Sequence, residues 1–181
     1  GADPEKAKAL LEEAGYDGTP IVLMAPTDVI SLINQPVVAA QALREAGFEV
    51  DMQSMDWQSV VQRRAQQSPV SEGGWNMFFT NWMVPEVSDP LTNVMVSGRG
   101  DEAWFGWPDD PEIEELRAKF MKAEGPEAQK EVAVEIQKHV MDNVNYIMMG
   151  EYLIPQARRN TIQNMLPSPV PVFWNMTKEA E

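Results

Sequence analysis

Asp3-Pro4-Glu5-Lys6-Ala7-Lys8-Ala9-Leu10-Leu11-Glu12-Glu13-Ala14-Gly15-Tyr16 leads through Gly18-Thr19-Pro20 into Ile21-Val22-Leu23-Met24-Ala25. Asp3 has the side chain of an N-cap, and Pro4 has the fixed φ of a first helical position. Ala7, Leu10, Leu11 and Ala14 recur at i, i+3, i+4 and i+7, and Gly15 sits where a left-handed residue closes a helix. The spacing predicts a helix over 4–14 and a short buried strand over 21–25. The pattern then recurs. Residues 31–46 read as a helix with Ala39, Ala42, Leu43 and Ala46 on one face, and Glu45-Ala46-Gly47-Phe48 echoes Glu13-Ala14-Gly15-Tyr16. Phe48, Val50 and Met52 alternate with Glu49, Asp51 and Gln53, the period of a half-buried strand. Helices and strands in alternation predict an α/β layer.

Outward from this unit, residues 56–67 read as a third helix, broken by Ser68-Pro69 and Glu72-Gly73-Gly74, and residues 75–80 as a third strand. No periodicity holds over 81–108, which is predicted to be loop with a short helical piece at 91–96. Asp110-Pro111 repeats the cap-and-proline device, with Ile113, Leu116, Phe120 and Met121 as an inward stripe. Gly125-Pro126 ends that helix, and another follows to about 143 with Ala128, Val132, Ile136 and Val140 spaced by four. Residues 146–149 and 152–154 read as extended, and 167–171 as irregular or polyproline-like.

The 181 residues suit one domain at roughly 150 residues each. A net charge of −14 argues against a nucleic-acid partner and against an anionic membrane surface. The absence of cysteine removes thiol nucleophiles, thiolate metal sites and disulfides, and a single histidine leaves little for zinc or a Ser-His-Asp triad. No apolar run is long enough to cross a bilayer, so no direct membrane insertion is expected. The chain enters a helix almost at once without signal-peptide features, as a piece of a longer protein would.

Chemistry concentrates in the long loop. Residues 73–107 hold Trp75, Phe78, Phe79, Trp82, Trp104, Phe105 and Trp107, seven of the fifteen aromatics. Between Ala65 and Leu116 there is one cation, Arg99, against Glu72, Glu86, Asp89, Asp101, Glu102, Asp109, Asp110, Glu112, Glu114 and Glu115. Aromatic faces attract cations and carboxylates supply full charge, so such a wall suits an amine-bearing ligand. The acids from Asp109 to Glu115 are read as solvated helix-entry residues; Trp82 and Glu86 are the candidates for the wall. A carboxylate-based hydrolase using Glu86 and Asp89 is an alternative, as is a protein-interaction module using the Arg99-Gly100-Asp101 turn. His139 has Glu135 one turn before it and reads as a solvated or capping histidine. The twelve methionines, Met52 and Met55 among them, read as packing residues rather than as a metal site.

The opening helix closely resembles the "DPEKAKALLAEAGY" helix of the peptide/nickel/opine class of ABC-transporter solute-binding proteins, family 5. In that family it opens the third domain, the C-terminal, second ligand-binding lobe. Phe48-Glu49-Val50, Asp56-Trp57, Thr80-Asn81-Trp82, Asp89-Pro90, Asp110-Pro111-Glu112-Ile113 and the segment from Tyr146 to Tyr152 resemble the elements that follow there, in order. The resemblance implies a periplasmic-binding-protein-like lobe, a mixed sheet flanked by helices spanning 1–181, whose tail over about 167–181 returns to an absent first lobe. It implies extracytoplasmic or periplasmic binding of a peptide or other amine-bearing solute for uptake, with a membrane permease as partner and neither cofactor nor catalysis. Peptide-binding members hold the ligand's α-amino group with an aspartate shortly after the tryptophan. Here Trp82 is followed by Met83-Val84-Pro85-Glu86, and the spacing to Pro90 is one residue longer, so either Glu86 or Asp89 takes that place. Asn145 and Met148 replace prolines of the family. The implied ligand-binding residues are Asn81, Trp82, Glu86, Asp89, Trp104 and Phe105.

Overall fold

The computed structural model describes residues 3–170 and 172–179. Gly1-Ala2 and, within the predicted tail, Pro171, Ala180 and Glu181 lie outside them. Helix α1 (Pro4–Glu13) forms as its cap predicts, with Asp3 accepting from the Lys6 N–H at 3.0 Å. Its apolar stripe is nevertheless not buried, and Leu10 is 54% exposed. The helix is held by its C-terminal end instead. The Tyr16 ring meets Phe48 edge-on at 5.2 Å, and its hydroxyl donates to the Thr19 carbonyl and accepts from the Glu49 N–H.

Strand β1 (Ile21–Pro26) pairs in parallel with β2 (Val50–Met55), from Ile21 opposite Val50 to Pro26 opposite Met55. Parallel neighbours need a crossover, and α2 (Gln35–Glu45) supplies it. It starts later than predicted because residues 31–34 form turns before Pro36. Leu23 and Met24 are fully buried, as expected of a central strand covered on both faces. Leu23, Leu32, Ala39, Ala40 and Phe79 form the first core, edged by Val29, Leu43, Val50 and Trp57. Strand β2 half-buries Val50, Gln53 and Met55 while Met52 is 37% exposed, so its inward face departs from the predicted alternation.

The predicted third strand shrinks to Met77, which bridges Leu23 in parallel on the edge of β1 away from β2. The Asn76 side chain accepts from the Val22 N–H at 2.8 Å, taking a backbone group that a continuing strand would have used. Helix α3 (Trp57–Arg63) is capped by Asp56 and ends earlier than predicted. Gly74 has no room for a side chain against Ser68 and Pro69.

After the long loop, α5 (Pro111–Lys122) and α6 (Pro126–Asn143) form an antiparallel hairpin across Gly125, whose φ of 84° suits glycine. Val96, Ile113, Val132, Ile136 and Val140 make a second core, separate from the first. The segments expected to be extended over 146–149 and 152–154 form no strand among the described residues, and Leu153 is 91% exposed. A short antiparallel ribbon, β3 (Ile162–Gln163) with β4 (Thr177–Lys178), folds the tail against the preceding segment. Among the described residues no helix is long and apolar enough to cross a membrane.

Candidate functional site

The loop between Trp82 and Asp110 is built on short local bonds. The four-residue helix α4 (Val84–Val87) is closed by Glu86, whose carboxylate accepts from the Met83 N–H at 3.0 Å. Asp89 accepts from the Leu91 N–H at 2.7 Å, holding the turn before Pro90. Buried Asn93 donates to the Val87 carbonyl and caps the single turn Val94–Val96, all that forms of the helix expected at 91–96. These residues leave helical periodicity because side chains, rather than successive amides, satisfy the backbone.

Helix α5 carries the loop. Arg117 donates to the carbonyls of Pro90 and Leu91, both at 3.2 Å, and pairs with Glu114 at 2.6 Å. Glu114 also accepts from the Gly98 N–H at 2.8 Å, and the Gly98 carbonyl accepts from the Asp110 N–H. A side chain at Gly98 would collide with Asp110 and Ile113, so glycine permits this close approach. Burial raises the pKa of Glu114, but the Gly98 amide and Arg117 outweigh it and hold the carboxyl below its ordinary value. His139 contacts Asp110 at 2.7 Å, whereas Glu135 pairs with Lys119. The histidine therefore braces the N-cap of α5 rather than being solvated beside Glu135. Burial also raises the pKa of Asp110, and the hydrogen bonds from His139 and Ile113 override it in the downward direction.

The aromatics converge. Trp82 meets Trp104 edge-on at 5.6 Å, Trp104 lies 5.4 Å from both Phe78 and Phe105, and Trp75 contacts Phe78 and Trp107. Trp107 follows Gly106 with a φ of 47°, a left-handed conformation costly for a bulky residue. Arg64, just past α3, lays its guanidinium carbon 4.5 Å from the Phe105 centroid and within 6 Å of Trp57, Phe78 and Trp104.

Of the predicted site residues, Trp82, Trp104 and Phe105 share this cluster. Asn81 sits next to Trp82 but turns toward the start of α2, donating to Ser31 and accepting from Gln35. Glu86 and Asp89 lie on the following turns, exposed, and neither bonds to a ring-bearing residue among those described. Each commits one oxygen to the backbone. Arg64 and Arg117 stand just outside the acidic tract between Ala65 and Leu116, and both fold back onto it, which composition along the chain does not show. The signal was an Arg pair closing a helix that begins with tryptophan.

Residues 1–105 match the bacterial extracellular solute-binding proteins, family 5 Middle. The chain belongs to this family. Over 178 residues this solute-binding-protein chain is 37% identical to a probable peptide ABC transporter periplasmic-binding protein, y4tO, of Sinorhizobium fredii, covering 98% of the chain and 34% of the relative. It is 27% identical over 176 residues to the di/tripeptide-binding protein 4 of Pseudomonas aeruginosa, covering 93% and 32%. The family 5 chain thus spans about a third of the length of these relatives. A crystal structure of the substrate-binding protein CtaP of Listeria monocytogenes superposes with a TM-score of 0.61 at 16% identity, covering 78% of this chain and 28% of that one, a likeness of fold.

Proposed function

We propose that this chain is the second ligand-binding lobe of an extracytoplasmic solute-binding protein that presents a peptide, or another amine-bearing solute, to an ABC-transporter permease. The ligand lies between this lobe and a first lobe elsewhere in the same protein, and hinge closure traps it. The observation that carries this reading is the exposed Trp82, packed edge-on against Trp104 and followed within seven residues by the exposed carboxylates of Glu86 and Asp89. A tryptophan face stacks on a planar or cationic group, and a carboxylate pairs an ammonium. Glu86 and Asp89 each retain one oxygen without a hydrogen bond among the described residues, so either can serve. The reading involves no catalysis, and the relatives' names describe binding proteins.

The test is mass spectrometry of solutes that co-purify with the intact protein, followed by calorimetry on the Trp82→Ala variant. Trp82 is 37% exposed, so its loss should weaken Kd by roughly tenfold or more while changing stability by less than about 1 kcal/mol. Unchanged affinity would remove Trp82 from the site.

A further inference from the structure

Arg63 and Arg64 are neighbours with opposite fates. Each guanidinium nitrogen of Arg63 has a partner: it donates to the carbonyls of Gly73 and Gly74 and to the Gln53 side chain. The Arg64 guanidinium makes no hydrogen bond and no ion pair among the described residues, although the chain carries twice as many acids as bases. Its Nε is buried without a partner, and the Trp75 indole N–H in the same cluster is also buried and unpaired. Cation–π contacts with four rings fix the plane of the guanidinium, but rings accept no in-plane hydrogen bond. Such a group is costly to leave without a partner. Burial alone lowers its pKa, with no acid nearby to offset it.

We propose that Arg64 is an anion subsite that receives a carboxylate of the transported solute. A planar guanidinium offers parallel N–H donors that match a carboxylate in bidentate fashion, and stacking on Phe105 pre-orients the fork before ligand arrives. Trp104 links the two halves of the site, touching Arg64 and Trp82 alike. The wall therefore carries a cation at one end and the carboxylates of Glu86 and Asp89 beyond the other. This polarity selects a zwitterion, with its ammonium toward the acids and its carboxylate toward Arg64. The inference rests on the solute-binding reading and names the end of the ligand that reading leaves open.

Two measurements on the intact protein separate the claims. In the first, acetate is titrated at constant ionic strength against chloride while the Nε–Hε NMR signals of the arginines are followed. The Arg64 signal is expected to shift saturably with acetate while that of Arg63 stays in place; an Arg64 signal that moves no more than Arg63's overturns the subsite. In the second, calorimetry compares trialanine with trialanine amide. Amidation should weaken binding at least about tenfold in the native protein and leave affinity unchanged in Arg64→Gln. Arg64→Lys, which keeps charge and stem, should keep part of the discrimination and covers the case in which the glutamine variant does not fold. Equal binding of acid and amide overturns the subsite and leaves solute binding standing. If acetate saturates Arg64 and neither peptide binds, the subsite stands and the peptide reading falls.

Discussion

The two apolar centres of the molecule are stabilised by different means. The sheet core around Leu23 is held by burial: a strand covered on both faces and a crossover helix packed above it. The hairpin core around Ile113 is framed by ionised groups, with Asp110 bound to His139, and Glu114 shared between Arg117 and the Gly98 amide. A transfer-driven core is indifferent to pH, whereas a framed one fails when its carboxylates are protonated. The candidate site belongs to neither core alone. Its rings come from both sides of the loop, and the loop is fastened to α5.

The comparison is open to attack by substitution. Leu23→Ala removes a fully buried side chain at the centre of the sheet and should cost about 2–5 kcal/mol in denaturant unfolding, with little change in its acid limb. Ile113→Ala should cost about 2–4 kcal/mol and, unlike the first, should raise amide exchange across the Pro90–Gly98 loop. Equal exchange patterns for the two variants would merge the cores into one.

Asp110→Asn should cost about 1–2 kcal/mol at pH 7, keeping a cap to the Ile113 N–H but losing the charge-assisted bond to His139. The sign of its pH dependence follows from the direction of the shift. The folded pKa of Asp110 is depressed, so its contribution is fully present above the unfolded carboxylate value, about 3.9, and disappears as pH falls through the folded value. Melting temperatures measured between pH 7 and pH 2 should therefore fall less steeply in Asp110→Asn than in the native chain; parallel curves would contradict the framed-core account. The smallest effect, about 1 kcal/mol, is expected for Tyr16→Phe, which loses the hydroxyl joining the Thr19 carbonyl to the Glu49 amide.

Local chemistry explains what could be read in advance. The caps Asp3, Asp56 and Asp110 and the breaks at Gly15, Gly47 and Gly125 act within a few residues, so α1, α2, α5 and α6 and the existence of two strands between them are visible in the chain, whereas their parallel pairing is not. Residues 75–80 were misjudged because their apolar run is strand-like, while Asn76 diverts the ladder through its side chain. His139 reads from its own helix only as a solvated or capping histidine, because periodicity does not show that Asp110 is brought to it across the hairpin. The clustering of tryptophans was legible as composition. Which cation they would receive was not, because Arg64 reaches them from α3 by tertiary packing.

Five of the six tryptophans, Trp57, Trp75, Trp82, Trp104 and Trp107, touch Arg64 or one another through this network, and the sixth, Trp174, is 86% exposed. Optically, this divides the emission into two populations. Trp174 supplies a red-shifted signal that collisional quenchers reach, while the packed indoles exchange excitation among themselves and couple in the near-ultraviolet circular dichroism. A solute that displaces one ring edge, or draws the guanidinium off Phe105, changes the coupled signal and leaves that of Trp174 alone. The candidate site thus carries its own chromophores, and the proposed occupancy is open to a test by light without a label.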